Sequence, residues 1–211
     1  MIISRTPLRV SFLGGGSDLP SYYRHHGGAV LSTTIDQSVY VTVSRKFDDA
    51  VRVSYSRTEE VARSADVEHP LVREALALVG IEGGIEITSV ADIPSRGTGL
   101  GSMAAIVRLA ETAFAEFAHG RITDFGVMLR DSWALKKELA SGISTPLIEE
   151  AYAAALAAGA EGGKLLGAGG GGFLMFFAPP SRHAAIRIAL AKLREVPFRF
   201  AREGSSIIFV H

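Results

Sequence analysis

Valines 39, 41 and 43 alternate with Tyr40, Thr42 and Ser44, the period of a strand with one buried face. β-Branched and aromatic residues also gather at 8–13, 30–35 and 51–55, and 85–90 reads as a further strand. Pro70 opens a short helical run over 70–79 and Gly80 follows it, the usual asymmetry of helix ends. Past residue 102 the spacing changes. Ile106, Leu109, Ala110, Ala113, Phe114 and Phe117 recur at helical intervals in a run rich in Ala, Leu and Glu, predicting a helix over 103–118. Helices are also expected over 123–139 and 144–158. The second of these has Ser144 as its N-cap, Pro146 in the first turn, and Glu149 and Glu150 near the positive end of the dipole. A strand at 173–177, a helix at 181–193 and strands at 198–201 and 206–210 complete the pattern. The prediction is an α+β chain, with a strand-rich N-terminal portion (1–102) and an α+β C-terminal portion (103–211).

Three glycine clusters interrupt this pattern. Residues 6–13 run into Gly14-Gly15-Gly16-Ser17-Asp18. Pro94-Ser95-Arg96-Gly97-Thr98-Gly99-Leu100-Gly101-Ser102 leads straight into the 103–118 helix, and Gly162-Gly163-Lys164-Leu165-Leu166 leads into Gly167-Ala168-Gly169-Gly170-Gly171-Gly172. Glycine inside ordered elements opposes folding entropically, so dense clusters point to close approach of backbone to a ligand. A glycine loop feeding a helix N-terminus aims free N–H groups and the positive dipole end at one point, which suits a phosphate. The segment fits neither GxxxxGK[ST] nor a clean GxGxxG.

In this order the three clusters resemble the GHMP kinases, the superfamily of galactokinase, homoserine kinase, mevalonate kinase and phosphomevalonate kinase. Residues 94–102 resemble the second motif, P-x3-G-L-G-S-S, which embraces the ATP phosphates, and 167–172 resemble the third, a glycine turn near phosphates and substrate. Residues 7–18 match the sugar-kinase form of the first motif. Together with Gly27-Gly28-Ala29-Val30, Thr34-Ile35-Asp36, Ser132 to Lys137 and Gly142 to Ser144, they are most similar to the D-glycero-D-manno-heptose 7-phosphate kinase branch. The resemblance implies a two-lobed GHMP-kinase-like fold and phosphoryl transfer from ATP, with Mg2+, to a sugar or sugar-phosphate hydroxyl. It assigns ATP to Pro94, Arg96, Gly97, Gly99, Leu100, Gly101 and Ser102, with Ser102 also the metal ligand. Substrate falls to Gly15, Gly16, Ser17, Asp18, Lys164, Gly169, Gly170 and Gly171, and catalysis to Arg9 and Asp18.

Each charged candidate also has a plainer reading. Arg9 is placed by the family match close to the reacting groups, or it covers apolar surface at a strand edge with its stem. Asp18 holds substrate hydroxyls, which a two-oxygen acceptor does well, or it caps a short helix over 19–23. Lys164 neutralises a sugar phosphate and Arg96 a nucleotide phosphate, or both are solvated. His25 and His26 lack a third ligand at metal spacing, and Trp133, four residues after Leu129, reads as core. The 132–137 motif identifies the branch without suggesting a chemical role.

The chain also departs from the family. It passes from the second motif to the C-terminal helical region within a few residues of Ser102, where relatives carry an internal segment with an acidic Mg2+ ligand and a catalytic Asp. No residue here matches either, which makes Asp18 a candidate substitute base. Met103 stands where relatives have a second metal-binding serine, and a thioether is a poor partner for hard Mg2+. The alternative function is therefore a catalytically impaired remnant that binds nucleotide or sugar phosphate without the usual base and metal ligands. A third is a chain that needs a partner to complete its N-terminal lobe.

Composition narrows the field. With 22 Lys plus Arg against 22 Asp plus Glu, nothing steers the chain toward nucleic acid or an anionic membrane, and a kinase of small anions needs only a local basic site. The 211 residues, 47% hydrophobic, suffice for one large or two small domains. No cysteine is present, which excludes disulfides and thiolate chemistry. The start lacks the basic and apolar regions of a signal peptide, and the uncharged stretch 165–181 is short and broken by Gly and Pro, so a cytoplasmic protein is expected.

Overall fold

Residues from both ends of the chain meet in one sheet. The computed structural model describes residues 1–93, 103–138, 142–167 and 171–211, with the backbone alone for 103–106. Its elements run β1 (Ile2–Leu13), α1 (Pro20–His26), β2 (Leu31–Arg45), β3 (Val51–Ser54), β4 (Thr58–Val61), α2 (Pro70–Leu78) and β5 (Ile85–Ala91). They continue as α3 (Met103–Ala118), α4 (Phe125–Glu138), α5 (Pro146–Ala157), β6 (Gly162–Leu166), β7 (Phe173–Phe177), α6 (His183–Ala189) and β8 (Ser206–Val210). Short 3-10 turns lie at Ser64–Asp66 and Pro180–Arg182. The class is α+β, as expected.

Two compact units interleave along the sequence. One is Met1–Leu8, Thr34–Ile93 and Phe198–His211; the other is Arg9–Thr33 and Pro94–Pro197. The first carries a sheet in the order β4-β3-β5-β2-β1-β8. β1 starts well before residue 8 because its first half pairs antiparallel with β8, Ile2 opposite Val210 and Ile3 opposite Phe209. The runs 30–35 and 39–45 fuse into β2 because the polar residues between them are satisfied. Ser38 donates its amide to Asp92 Oδ2 at 2.7 Å, and Asp36 Oδ1 accepts the Arg199 amide at 2.8 Å. β3 and β5 are parallel, with Val51 opposite Ile85 and Val53 opposite Ile87. The connection between them carries α2, whose Leu76 packs with Val67 on these four residues to form the unit's core. α2 begins and ends where Pro70 and Gly80 suggested, and Gly80 adopts φ +70° just past its end.

The second unit holds the other helices and the β6–β7 hairpin. Leu13 and Leu129 are fully buried against Ala110, Ala113 and Phe125. Trp133 is buried with Ile143, Ile148, Tyr152 and Leu165, as its spacing from Leu129 implied. Three expectations need correction. The N-cap of α5 is Thr145, whose Oγ1 accepts the Ile148 amide at 3.4 Å; Ser144 instead donates to Glu149. The 181–193 helix reduces to a 3-10 turn and α6, since its C-terminal cap falls at Leu190. Residues 198–201 contribute a single bridge, Phe200 to Ile35, rather than a strand.

β6 was not foreseen, and it explains two glycines differently. A Cβ on Gly162 would lie 1.7 Å from the Gly126 carbonyl oxygen, and one on Gly163 would lie 2.5 Å from that of Met175. These glycines let α4 and β7 approach β6 closely, so the close partner is the protein's own backbone rather than a ligand.

Candidate functional site

β1 runs out into the turn Gly14–Asp18 within the second unit. Gly14 has φ +79° and Gly16 φ +101°, the left-handed region that glycine enters freely. A Cβ on Gly14 would lie 1.8 Å from the Ala29 carbonyl oxygen, so the turn is pressed against the segment leading into β2. Ser17 locks that contact. It is 0% exposed, its hydroxyl proton lies between the carbonyls of Gly14 (2.8 Å) and Ala29 (3.0 Å), and its Oγ accepts the Ala29 amide at 3.2 Å. Ser17 thus serves the turn, whereas Gly15 is exposed.

Asp18 and Arg9 meet at the surface of this turn. Asp18 Oδ1 accepts the Gly16 amide at 2.9 Å, and Oδ2 accepts from Arg9 Nη2 at 3.3 Å, both side chains being about half exposed. Partial burial pushes the Asp18 carboxyl up, but the Gly16 amide and the Arg9 guanidinium outweigh it and hold the group below its ordinary 3.8. The carboxylate is therefore ionised at neutral pH, with lone pairs left for a hydroxyl donor. It does not cap α1, whose N-cap is Leu19 with no side-chain bond; the helix-capping reading is corrected. The Arg9 guanidinium forms an ion pair that presents one cation and one anion side by side.

Lys164 is buried in β6, 6% exposed, and donates from Nζ to the Phe12 carbonyl at 2.8 Å. Burial first, and then the charge of Lys136, depress its ammonium from 10.5 to about 7. Lys136 donates to the Leu165 carbonyl at 3.0 Å and to that of Gly167. Sequence reasoning assigned Lys136 no role; the available signal was its i,i+3 spacing from the core residue Trp133 on one helix face. Gly171 has open space where a Cβ would stand, and Gly172 takes φ +129°. His25 and His26 are exposed. Pro94, Arg96, Gly97, Gly99, Leu100, Gly101, Ser102, Gly169 and Gly170 lie outside the described residues. Among the described residues no three His, Asp or Glu converge as a metal site. Mg2+ bound with a nucleotide takes only one or two protein oxygens, so one ionised carboxylate such as Asp18 suits that donor set, although Arg9 competes for it.

Residues 113–195 match the family model "GHMP kinases C terminal". The whole chain has the GHMP kinase fold. It superposes on a D-glycero-D-manno-heptose 1-phosphate kinase from Bacteriodes thetaiotaomicron with a TM-score of 0.75 and 17% identity, covering 100% of both chains. For a protein from Campylobacter jejuni the values are 0.68 and 17%, over 98% of each. For Lactococcus lactis galactokinase in complex with galactose they are 0.70 and 13%, over 98% of this chain and 94% of that one. No curated protein matches in sequence. A kinase, that is a transferase, is the enzyme class the family match supports. Among the described residues no helix is long and apolar enough to cross a membrane.

Proposed function

We propose that this chain transfers the γ-phosphoryl group of Mg2+·ATP to a hydroxyl of a sugar or sugar phosphate, with a heptose 7-phosphate as the favoured acceptor. The observation that carries the proposal is the Arg9–Asp18 pair on the Gly14–Asp18 turn of a chain with the GHMP kinase fold. Phosphoryl transfer requires charge neutralisation and in-line positioning more than covalent chemistry. Arg9 supplies a cation beside the acceptor, and the Asp18 carboxylate accepts a hydrogen bond from a sugar hydroxyl and orients its oxygen. Asp18 is also the candidate base, although a carboxyl held below 3.8 is a weak one, so orientation is its stronger role. The 94–102 segment is assigned to the nucleotide phosphates and Ser102 to the metal, which neutralises charge between the phosphates when bound. Gly15, Gly16 and 169–171 are assigned to the acceptor. Functionally the chain divides into a nucleotide-binding portion, 1–102, and a C-terminal portion, 103–211, and its use of ATP implies a cytoplasmic setting. The heptose assignment is supported by the 7–18, 132–137 and 162–172 motifs and by the fold shared with a heptose 1-phosphate kinase.

Binding without turnover is the second reading, favoured by Met103 in the metal-ligand position. The internal shortening after residue 102 rests on motif resemblance alone. The test is thermal unfolding with and without millimolar Mg2+·ATP, followed by ADP release with heptose 7-phosphate, galactose or mevalonate as acceptor. A raised midpoint with heptose-dependent ADP release supports the kinase, and a raised midpoint with no release under any acceptor supports the binder. Neither a shift nor release refutes both.

A further inference from the structure

β1 runs out into the Gly14–Asp18 turn and β6 ends at Leu166, and at each strand end a lysine holds a backbone carbonyl. The Lys164 ammonium bonds the Phe12 carbonyl, two residues before Gly14, and so ties β6 to a strand 152 residues away in sequence. Lys136, reaching down from α4, bonds the carbonyls of Leu165 and Gly167, where β6 ends. Among the described residues neither ammonium pairs with a carboxylate; their partners are backbone carbonyls, and the charge of Lys136 acts on Lys164. A buried cation without a counter-ion is unfavourable, and an unbranched apolar side chain of the same length would pack here with no such penalty. What lysine supplies and methionine does not is a charged group of N–H donors on a long stem, and here those donors reach the carbonyls of Phe12, Leu165 and Gly167.

We infer that Lys136 and Lys164 are positioning residues, fixing the ends of β1 and β6 through the carbonyls of Phe12, Leu165 and Gly167. Lys164 sets the base of the turn that presents Arg9 and Asp18, and Lys136 sets the backbone at Leu165 and Gly167. The inference rests on the reading of the Gly14–Asp18 turn as part of the acceptor site. It gives Lys164 a role through backbone rather than by contact with a sugar phosphate, which its burial disfavours.

Amide hydrogen exchange of the ligand-free protein separates this inference from that reading. In Lys164→Met, exchange over 12–18 should quicken about tenfold or more while α2, in the other unit, is unchanged. In Lys136→Met the same should occur over 162–167, and Lys136→Arg, which keeps the donors, should restore protection. Where turnover is measurable, both Met variants should lower kcat/KM by about tenfold, chiefly through KM, with rescue in Lys136→Arg. Acceleration spread evenly through the second unit, or none in either segment, overturns the inference and makes the lysines ordinary core. If Lys164→Met does not fold, Lys136→Met, at a half-buried position, decides by the same criterion. Absence of kinase turnover would refute the proposed function and leave the exchange result standing.

Discussion

Between pH 7 and pH 9 the folded chain should gain stability, and Lys164 is the cause. Burial first, and then the charge of Lys136, lower its ammonium in the folded chain from 10.5 to about 7. Unfolding returns the side chain to water and to its ordinary value, so across this window the unfolded state binds more protons than the folded one. The penalty on folding is complete below pH 7 and is relieved as the pH climbs toward 10.5. A difference of one proton changes stability by about 1.4 kcal/mol per pH unit. With the folded group half-titrated near pH 7, the gain by pH 9 is roughly 2 kcal/mol. Lys164→Met keeps the length of the side chain and abolishes the titration. The assay is urea unfolding at pH 7, 8 and 9, followed by the fluorescence of Trp133, the single tryptophan, which is buried in the same unit. The quantity read is the difference between the two curves, in which contributions common to both proteins cancel. That difference should change by roughly 2 kcal/mol over the window. In Lys136→Met the rise should begin above pH 7, because burial alone then acts on Lys164. Parallel curves for the wild type and Lys164→Met would refute the reasoning.

Arg9→Met and Asp18→Asn should each lower turnover about a hundredfold, while urea unfolding changes by less than about 1 kcal/mol because the pair is half exposed. Gly14→Ala forces a Cβ to within 1.8 Å of the Ala29 carbonyl oxygen at φ +79° and should destabilise by about 3 kcal/mol or more. Gly15→Ala, which is tight only against Ser11 Oγ at 3.0 Å, should change stability by less than about 1 kcal/mol in the same assay. Tyr152→Phe removes the hydroxyl that donates to the Gly163 carbonyl at 3.1 Å; urea unfolding should report a loss of about 1–2 kcal/mol.

Helices were legible where a single face carries the core. Ala110 and Ala113 on α3, and Leu129 and Trp133 on α4, are buried at the spacing the sequence shows. The first half of β1 was not, because its strand character depends on pairing with β8 some two hundred residues later. β6 was hidden more deeply: Gly162 and Gly163 carry little strand propensity, and only the approach of Gly126 and Met175 explains them. At the candidate site the Gly14–Asp18 turn was legible from its glycines, whereas the ion pair of Arg9 and Asp18 was not, since it depends on where the turn sets the carboxylate. The role of Lys136 was not. Helical periodicity gives the face on which a lysine lies, but its carbonyl partners are 29 and 31 residues further along the chain.

Residues 162–164 break three local preferences in succession, with two glycines in a strand and a lysine in a core. One geometry accounts for all three. Without a side chain at 162, α4 settles onto β6 until the Gly126 carbonyl occupies the space of a Cβ, and without one at 163 the Met175 carbonyl of β7 comes close on its side. Closeness of α4 is what brings Lys136 within reach of Leu165 and Gly167, and the same packing removes Lys164 from water and places a second charge near it. The depressed ammonium of Lys164 is thus a consequence of the arrangement that ties the ends of β1 and β6 in place. Positions that weaken the fold locally gather where a site must be held rigid, and here the stability sacrificed to a buried cation and the fixing of the two strand ends have one structural cause. The pH dependence of unfolding therefore reports on more than one lysine: it measures how tightly α4 and β6 close on each other.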